Sequence, residues 1–163
     1  GDYVLKSERP VLFAKPEVFV LVSKNVKQLP IPWIGVIVHN FSRIFSHQFV
    51  RHTWLNFNQR SNRYTKVEKF VVPYCFNSNH LGPYMDIIKQ ALNIYEVFSK
   101  DMKKESVRFV LPQGSATTVF ATAPDFVWWD FIQKRIIPQA QDEIRKLAIT
   151  LKGFFEDYLV RCS

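Results

Sequence analysis

The chain has 163 residues and a formal net charge of +8, with 47% hydrophobic and 15% aromatic residues. This apolar content excludes a disordered polypeptide, and the length fits a single domain over residues 1–163, with a loose start over 1–9. The charge favours an anionic partner, which leaves nucleic acid, nucleotides, phosphorylated cofactors or an acidic membrane surface. Two cysteines without CxxC spacing exclude a disulfide scaffold and indicate a reducing, cytoplasmic location. The apolar run Ile34–Val38 is much shorter than the roughly 20 residues that a membrane helix needs, so we expect no membrane association.

The first part of the chain predicts strands followed by a helix. Val11–Phe13, Glu17–Val22 and Trp33–Val38 are rich in β-branched and aromatic residues, as strands are. Ser42 then precedes apolar residues at helical spacing. The stretch Arg51–Lys69 is polar and rich in asparagine without a clear period, which favours a loop around a ligand.

The second part predicts three helices and one strand. Pro83 is suited to the first turn of a helix whose apolar residues recur at three- and four-residue spacing as far as Met102. Thr117–Thr122 is typical of a strand, Pro124–Arg135 of a helix, and a last helix follows Pro138. The predicted fold is therefore α+β, a single domain with a small, mostly antiparallel sheet and several helices.

A basic, amide-rich segment is the strongest functional signal. Arg51, His52 and two further arginines fall within thirteen positions, interspersed with amide and hydroxyl side chains; the set comprises Gln48, Arg51, His52, Asn56, Asn58, Gln59, Arg60, Ser61, Asn62 and Arg63. Guanidinium groups beside amides and hydroxyls suit a phosphate and a planar heterocycle. The competing interpretation is an exposed basic loop that binds nothing.

This segment resembles the signature of the flavin-dependent thymidylate synthase family, which is Arg-His-Arg, seven residues, then Ser. Here it reads Arg51-His52-Thr53, seven residues, then Ser61. Two further segments, Val107–Gln113 and Ala140–Ala148, are similar to the same family in the same order. The resemblance therefore covers roughly residues 35 to 150.

The resemblance implies a homotetramer that binds FAD between subunits and methylates dUMP, a pyrimidine deoxynucleotide. Methylenetetrahydrofolate would be the carbon donor and NADPH the reductant, and the reduced flavin would carry the hydride without a protein nucleophile. If each matching position keeps its role in the family, the cofactor would contact Arg51, His52 and Asn58. The deoxynucleotide would be held by Gln48, Gln59, Ser61, Asn62, Arg63 and Arg108.

Two departures from the family pattern leave the activity open. Thr53 stands where the signature has its second Arg, and Phe126 stands where the family has an Arg that reads the pyrimidine. Phe126 cannot donate a hydrogen bond to a carbonyl oxygen, so a pocket with Phe126 would read a different base edge. Asp125 or Asp130 could then accept from an exocyclic amine. Alternatively, the pocket would serve a related hydroxymethylation.

Alternatives from other classes are a non-catalytic, nucleotide-binding regulatory or structural subunit and a basic nucleic-acid-binding domain; the latter is the less favoured. The four histidines, His39, His47, His52 and His80, lack metal-ligand spacing, so no metal is expected. The adjacent pair Trp128-Trp129 favours packing over a base platform, because neighbouring helical residues point in different directions.

Overall fold

The computed structural model describes residues 11–22, 33–59 and 69–162. The strands, in chain order, are β1 (Leu12–Phe13), β2 (Glu17–Val22), β3 (Trp33–Ser42), β4 (Asn56–Gln59), β5 (Lys69–Phe70) and β6 (Ala116–Pro124). The helices are α1 (Arg43–Phe49), α2 (Ser78–Phe98), α3 (Lys104–Val107), α4 (Asp125–Arg135) and α5 (Asp142–Cys162), with a 3₁₀ turn at Arg108–Val110.

Four strands form an antiparallel sheet in the order β2-β3-β6-β4. β3 and β6 are its long central pair and are hydrogen-bonded from Trp33↔Pro124 to Ser42↔Ala116. The register shifts between His39 and Phe41, where Asn40 has a φ of 62°. Asparagine tolerates this left-handed conformation, and its side chain donates to the Lys15 carbonyl oxygen at 3.0 Å. β1 and β5 form a separate, short parallel pair.

Helices α1, α4 and α5 cover one face of the sheet. Their buried side chains share one cluster with the inward residues of β3 and β6; it includes Val36, Val38, Phe45, Phe49, Val119, Trp128, Phe131, Ile144, Leu147 and Leu151. The indole N–H of Trp128 donates to the Ile34 carbonyl oxygen at 2.9 Å, so its polar atom is satisfied inside the core. Trp128 is therefore a core residue. α2 packs separately, through Ile88 and Leu92, against Phe70.

The predicted α+β class and the antiparallel sheet are confirmed, but the prediction that Arg51–Lys69 is only a loop is wrong. Asn56–Gln59 forms the edge strand β4, which pairs with β6 from Asn56↔Thr122 to Gln59↔Val119. Asparagine has a low strand propensity, which pairing with the edge of β6 overrides. Phe57 reinforces the strand, because its ring packs on Phe49 with the centroids 5.0 Å apart.

The helix predicted to open at Pro83 begins earlier. Asn77 caps α2, because its side-chain oxygen accepts from the Asn79 amide at 2.9 Å and its own amide donates to the His80 ring at 3.0 Å. Pro83 is thus the sixth helical residue and gives up one backbone hydrogen bond. The helix ends at Phe98, before Met102.

Candidate functional site

A basic pocket opens beside the N-terminal end of α1. The cavity has a volume of about 230 Å³ and is lined by Arg43, His47, Arg108, Phe109, Leu111, Pro112, Gln113 and Ser115. Arg43 and His47 lie one helical turn apart on α1, and Arg108 begins the 3₁₀ turn. Phe109 is 89% exposed, so an uncovered aromatic ring stands beside the cations.

Hydrogen bonds at the junction of β3 and α1 position Arg43. Ser42 is the helix cap, and its hydroxyl oxygen accepts from the Phe45 amide at 3.1 Å. The amide and hydroxyl of Ser42 both donate to the buried carboxylate of Glu143, at the start of α5. The Arg43 amide donates to the carbonyl oxygens of Gln113 and Ser115, each at 3.1 Å. The backbone of Arg43 is thus fixed to the segment that follows Arg108.

Within the described residues, no carboxylate neutralises the two arginines of the basic pocket. Burial and the charge of Arg108 both lower the pKa of Arg43 from its ordinary value. Over residues 11–22, 33–59 and 69–157, no carboxylate lies within ion-pair distance of the Arg43 or Arg108 guanidinium. Two guanidinium groups that face one cavity without a counter-charge favour a ligand with several anionic oxygens, such as a phosphate.

An aromatic groove lies between the loop after α1 and helix α4. It consists of a cavity of about 350 Å³ and a smaller one of about 180 Å³, which share Trp54, Val127, Asp130 and Lys134. Phe126 lines the first cavity; Arg51, His52 and Thr53 line the second. Trp54 is 79% exposed and Phe126 is 61% exposed. Exposed aromatic rings next to a few polar groups are suited to a planar ring system.

The floor of the groove holds His52 in a fixed environment. The Nε–H of Arg135 donates to His52 Nε2 at 2.9 Å, and the imidazole meets the Phe131 ring edge-to-face with the centroids 4.8 Å apart. Burial, together with the charges of Arg135 and Lys134, lowers the pKa of His52 to about 4, although Asp130 acts in the opposite direction. His52 is therefore neutral at physiological pH.

Three predicted ligand residues lie around α1 and on β4. Gln48 is half-buried, and its Oε1 has no hydrogen-bond partner within the part of the chain that the structure describes. Gln59 is half-buried and donates to the Thr117 hydroxyl at 3.3 Å. Asn58 is exposed. Because successive strand residues alternate between faces, Asn58 and Gln59 point to opposite sides of the sheet and would contact a ligand from different sides.

The remaining predicted positions are divided between the basic pocket and a segment outside the described residues. Arg108 lines the basic pocket, and Arg51 lines the aromatic groove. Ser61, Asn62 and Arg63 lie outside the described residues.

Within the described residues there is no group of three or more histidine, cysteine or acidic side chains placed to hold a metal ion. Nor is any helix in this part of the chain long and apolar enough to cross a membrane.

Sequence reasoning missed several residues that the fold brings into these cavities. Arg43 and His47 are not among the predicted ligand residues, although their four-residue spacing after a capping serine places both on one face of a helix. No local sequence pattern indicates that Trp54 lines a cavity. Arg135 approaches His52 only through the packing of α4, and no local pattern predicts that contact.

The sequence matches known proteins over most of its length. Residues 33–158 match the model of the thymidylate synthase complementing protein family. A flavin-dependent thymidylate synthase of Thermococcus onnurineus is 30% identical over 125 residues, which are 71% of this chain and 51% of that protein. One of Nitratidesulfovibrio vulgaris is 29% identical over 135 residues, which are 75% of this chain and 55% of that protein. The chain spans about half the length of the curated relatives it matches.

Solved structures show the same fold at low sequence identity. A UMP/dUMP methylase from Streptomyces cacaoi, bound with 5-Br UMP, superposes with a TM-score of 0.74 at 14% identity and covers 91% of this chain and 92% of its own. A flavin-dependent thymidylate synthase from Helicobacter pylori, complexed with FAD and dUMP, gives a TM-score of 0.61 at 18% identity and covers 74% of this chain and 66% of its own.

Proposed function

Because the chain belongs to the thymidylate synthase complementing protein family, we propose that it transfers a one-carbon unit to C5 of a pyrimidine deoxynucleotide such as dUMP. The transfer would be a methylation or a hydroxymethylation, with FAD as cofactor, methylenetetrahydrofolate as carbon donor and NADPH as reductant. The observation that carries the proposal is the basic pocket, where Arg43 and Arg108 face one cavity and no carboxylate of the described residues pairs with them. A nucleotide phosphate supplies the charge that this pocket lacks.

The nucleotide would be anchored at its phosphate and oriented by amides. Arg43 and Arg108 would bind the phosphate oxygens, and Phe109 would shield one side of the ligand from water. The Oε1 of Gln48, which has no partner among the described residues, is an acceptor that a sugar hydroxyl or a base N–H would satisfy. The family resemblance adds Gln59, together with the segment Ser61, Asn62 and Arg63, to the same site.

The residues of the aromatic groove fit a flavin. Trp54 and Phe126 offer ring faces for a planar tricyclic system, and Arg51 offers a cation for its electron-rich end or for its phosphates. Asn58, on the other face of the sheet, would contact a cofactor bound from a second subunit. When bound, FAD would supply the hydride chemistry.

The protein's own contribution would be orientation and exclusion of water. Anchoring the phosphate removes the translational freedom of the nucleotide before the reaction, which is worth several kcal/mol of the barrier in general. A flat ligand stacked on the aromatic rings would exclude water from the groove, so hydrogen bonds from His52 would act more strongly than in water. Asp130 already pairs with Lys134 at 2.7 Å, which limits its use as an acceptor for an exocyclic amine.

A second candidate function is nucleotide binding without turnover, as a regulatory or structural subunit. It is favoured by Thr53 and Phe126, which line the groove in place of the arginines expected from the family. In this case dUMP would still bind through Arg43 and Arg108, but flavin would bind weakly or not at all.

We also propose that the protein is a cytoplasmic homotetramer. The face of the sheet opposite the helices carries Phe19, Leu21 and Phe120, all of them exposed. A second copy of the chain packed there would bury this apolar face, and it would also bring Asn58 towards a neighbouring subunit. Light scattering of the purified protein would measure the mass; a monomer at micromolar concentration would contradict this assembly.

The experiment that tests the function begins with what copurifies. Mass spectrometry of the released ligands and the visible absorbance of the protein report bound FAD and nucleotide. The protein is then incubated with methylenetetrahydrofolate, NADPH and either dUMP or dCMP, and the products are separated by mass. A methylated or hydroxymethylated nucleotide supports the enzymatic function. Nucleotide binding without flavin and without product supports the second candidate, and binding of neither contradicts both.

A further inference from the structure

The hydrogen bond between Arg135 and His52 determines where the imidazole carries its proton. The guanidinium Nε always bears hydrogen, so the nitrogen that faces it at 2.9 Å must offer a lone pair. His52 Nε2 is therefore unprotonated, and the neutral ring holds its single proton on Nδ1. Within the described residues, Nδ1 has no hydrogen-bond partner.

We infer that Arg135 is a positioning residue, which fixes His52 as the neutral Nδ1–H tautomer so that the imidazole presents a ligand in the aromatic groove with one N–H donor and no charge. A heterocycle with a carbonyl oxygen or an unprotonated ring nitrogen is the chemical class that accepts from such a donor. That the ligand is a flavin rests on the proposed function, whereas the tautomer itself does not.

The surroundings of His52 hold the ring in this orientation from several sides. Its backbone amide donates to the Phe49 carbonyl at 3.1 Å, and its carbonyl accepts from the Leu55 amide at 3.0 Å. Phe131 packs against the ring edge-to-face. The charged groups that act on the imidazole from α4 are Arg135, Lys134 and Asp130, and Arg51 precedes it in the loop. The balance of charge is positive, which opposes protonation of the ring.

The test is long-range ¹H–¹⁵N correlation spectroscopy of the full chain labelled at histidine, with the His52 signals assigned from their loss in His52→Gln. At neutral pH we expect Nδ1 in the protonated range and Nε2 in the unprotonated range. A ring with its proton on Nε2, or a doubly protonated ring, would overturn the inference.

Matched variants on α4 separate the hydrogen bond from the charge. Arg135→Met should release the tautomer to a mixture, whereas Lys134→Met, which removes a neighbouring cation without touching the ring, should leave the pattern unchanged. Arg135→Lys keeps a side-chain N–H donor that cannot accept a hydrogen bond, and it should retain the Nδ1–H tautomer. Spectral dispersion reports the folded state of each variant. An unchanged pattern in folded Arg135→Met would contradict the role of Arg135, and if that variant does not fold, loss of the pattern in folded Arg135→Lys would do so.

Addition of FAD tests the ligand side. FAD that binds, as judged by its absorbance, should shift the Nδ1–H resonance, and bound FAD that leaves it unchanged would overturn the assignment of His52 as a donor to the ligand. Protein that binds no FAD contradicts the proposed enzyme, and the tautomer measured in the free protein is then judged on its own.

Discussion

Removal of either arginine from the basic pocket should weaken nucleotide binding and leave folding intact. A guanidinium that donates charge-assisted hydrogen bonds to a phosphate contributes about 1.5–3 kcal/mol, so Arg43→Gln and Arg108→Gln should each raise the Kd for dUMP roughly ten- to hundredfold. The stability of the ligand-free protein should not fall with the affinity. The two cations repel one another, and no carboxylate of the described residues lies beside them, so each substitution should leave the free energy of unfolding unchanged or raise it by up to about 1 kcal/mol.

Isothermal titration with dUMP and with deoxyuridine separates the phosphate contribution from that of the base and sugar. Both variants should lose affinity for dUMP, while deoxyuridine, which has no phosphate, binds them as it binds the parent chain. Lys89→Gln, which removes an exposed cation from α2, controls for net charge and should change neither Kd by more than about twofold. An equal loss of dUMP and deoxyuridine affinity, or an unchanged Kd for dUMP in both arginine variants, would refute the assignment of a phosphate to this pocket.

Three further changes test the structure around the site. The unfolded chain protonates His52 near pH 6.5 and the native state only near pH 4, so unfolding takes up a proton and stability should fall as the pH drops through this window. Since the ring is half-exposed, we expect the free energy of unfolding, measured by urea titration, to fall by only about 1–2 kcal/mol over this window. This fall should be absent from His52→Gln, and an equal dependence of stability on pH in both proteins would contradict the prediction. In Gly114→Ala the new Cβ would lie 2.1 Å from the Tyr84 hydroxyl oxygen, so we expect a cost of about 1–3 kcal/mol, partly relieved by Tyr84→Phe, and strict additivity in the double-mutant cycle would exclude this clash. Glu143→Ala leaves the buried amide and hydroxyl of Ser42 without their acceptor and should cost about 3–5 kcal/mol by chemical denaturation; a cost below about 1 kcal/mol would show that water replaces the carboxylate.

The elements that could be predicted are those whose apolar pattern is decided locally. Trp33–Val38 lies within β3 and Thr117–Thr122 lies within β6, because a strand buried in the middle of a sheet is made of β-branched and apolar residues. Ser42 was correctly placed before a helix because capping chemistry is local. β4 was missed since its asparagines have no strand preference, and it exists only where the edge of β6 accepts it.

The sequence predicted the site only in part, because local patterns do not show which distant residues meet in the fold. The family resemblance implied ligand roles for Arg51 and His52 from the signature and for Arg108 from the segment Val107–Gln113, and those roles remain predictions. Motif reasoning did not find that Arg43 faces Arg108 across a cavity, because the two lie far apart in sequence and meet only where the Arg43 amide bonds to the Gln113 and Ser115 carbonyls. Long-range contacts of this kind depend on the sheet register, which no single segment encodes.

The unequal exposure of the tryptophans has a practical consequence. Trp128 is sealed in the core with its indole N–H bonded to the Ile34 carbonyl oxygen, so a ligand should not change the wavelength of its emission. Trp54 stands in water at the mouth of the aromatic groove, and any ring that covers it displaces that water and should shift its emission. Because flavins absorb in the range where indole emits, a bound flavin should also quench both tryptophans by energy transfer. The chain thus carries its own optical reporter of occupancy, in which quenching distinguishes a flavin from other rings.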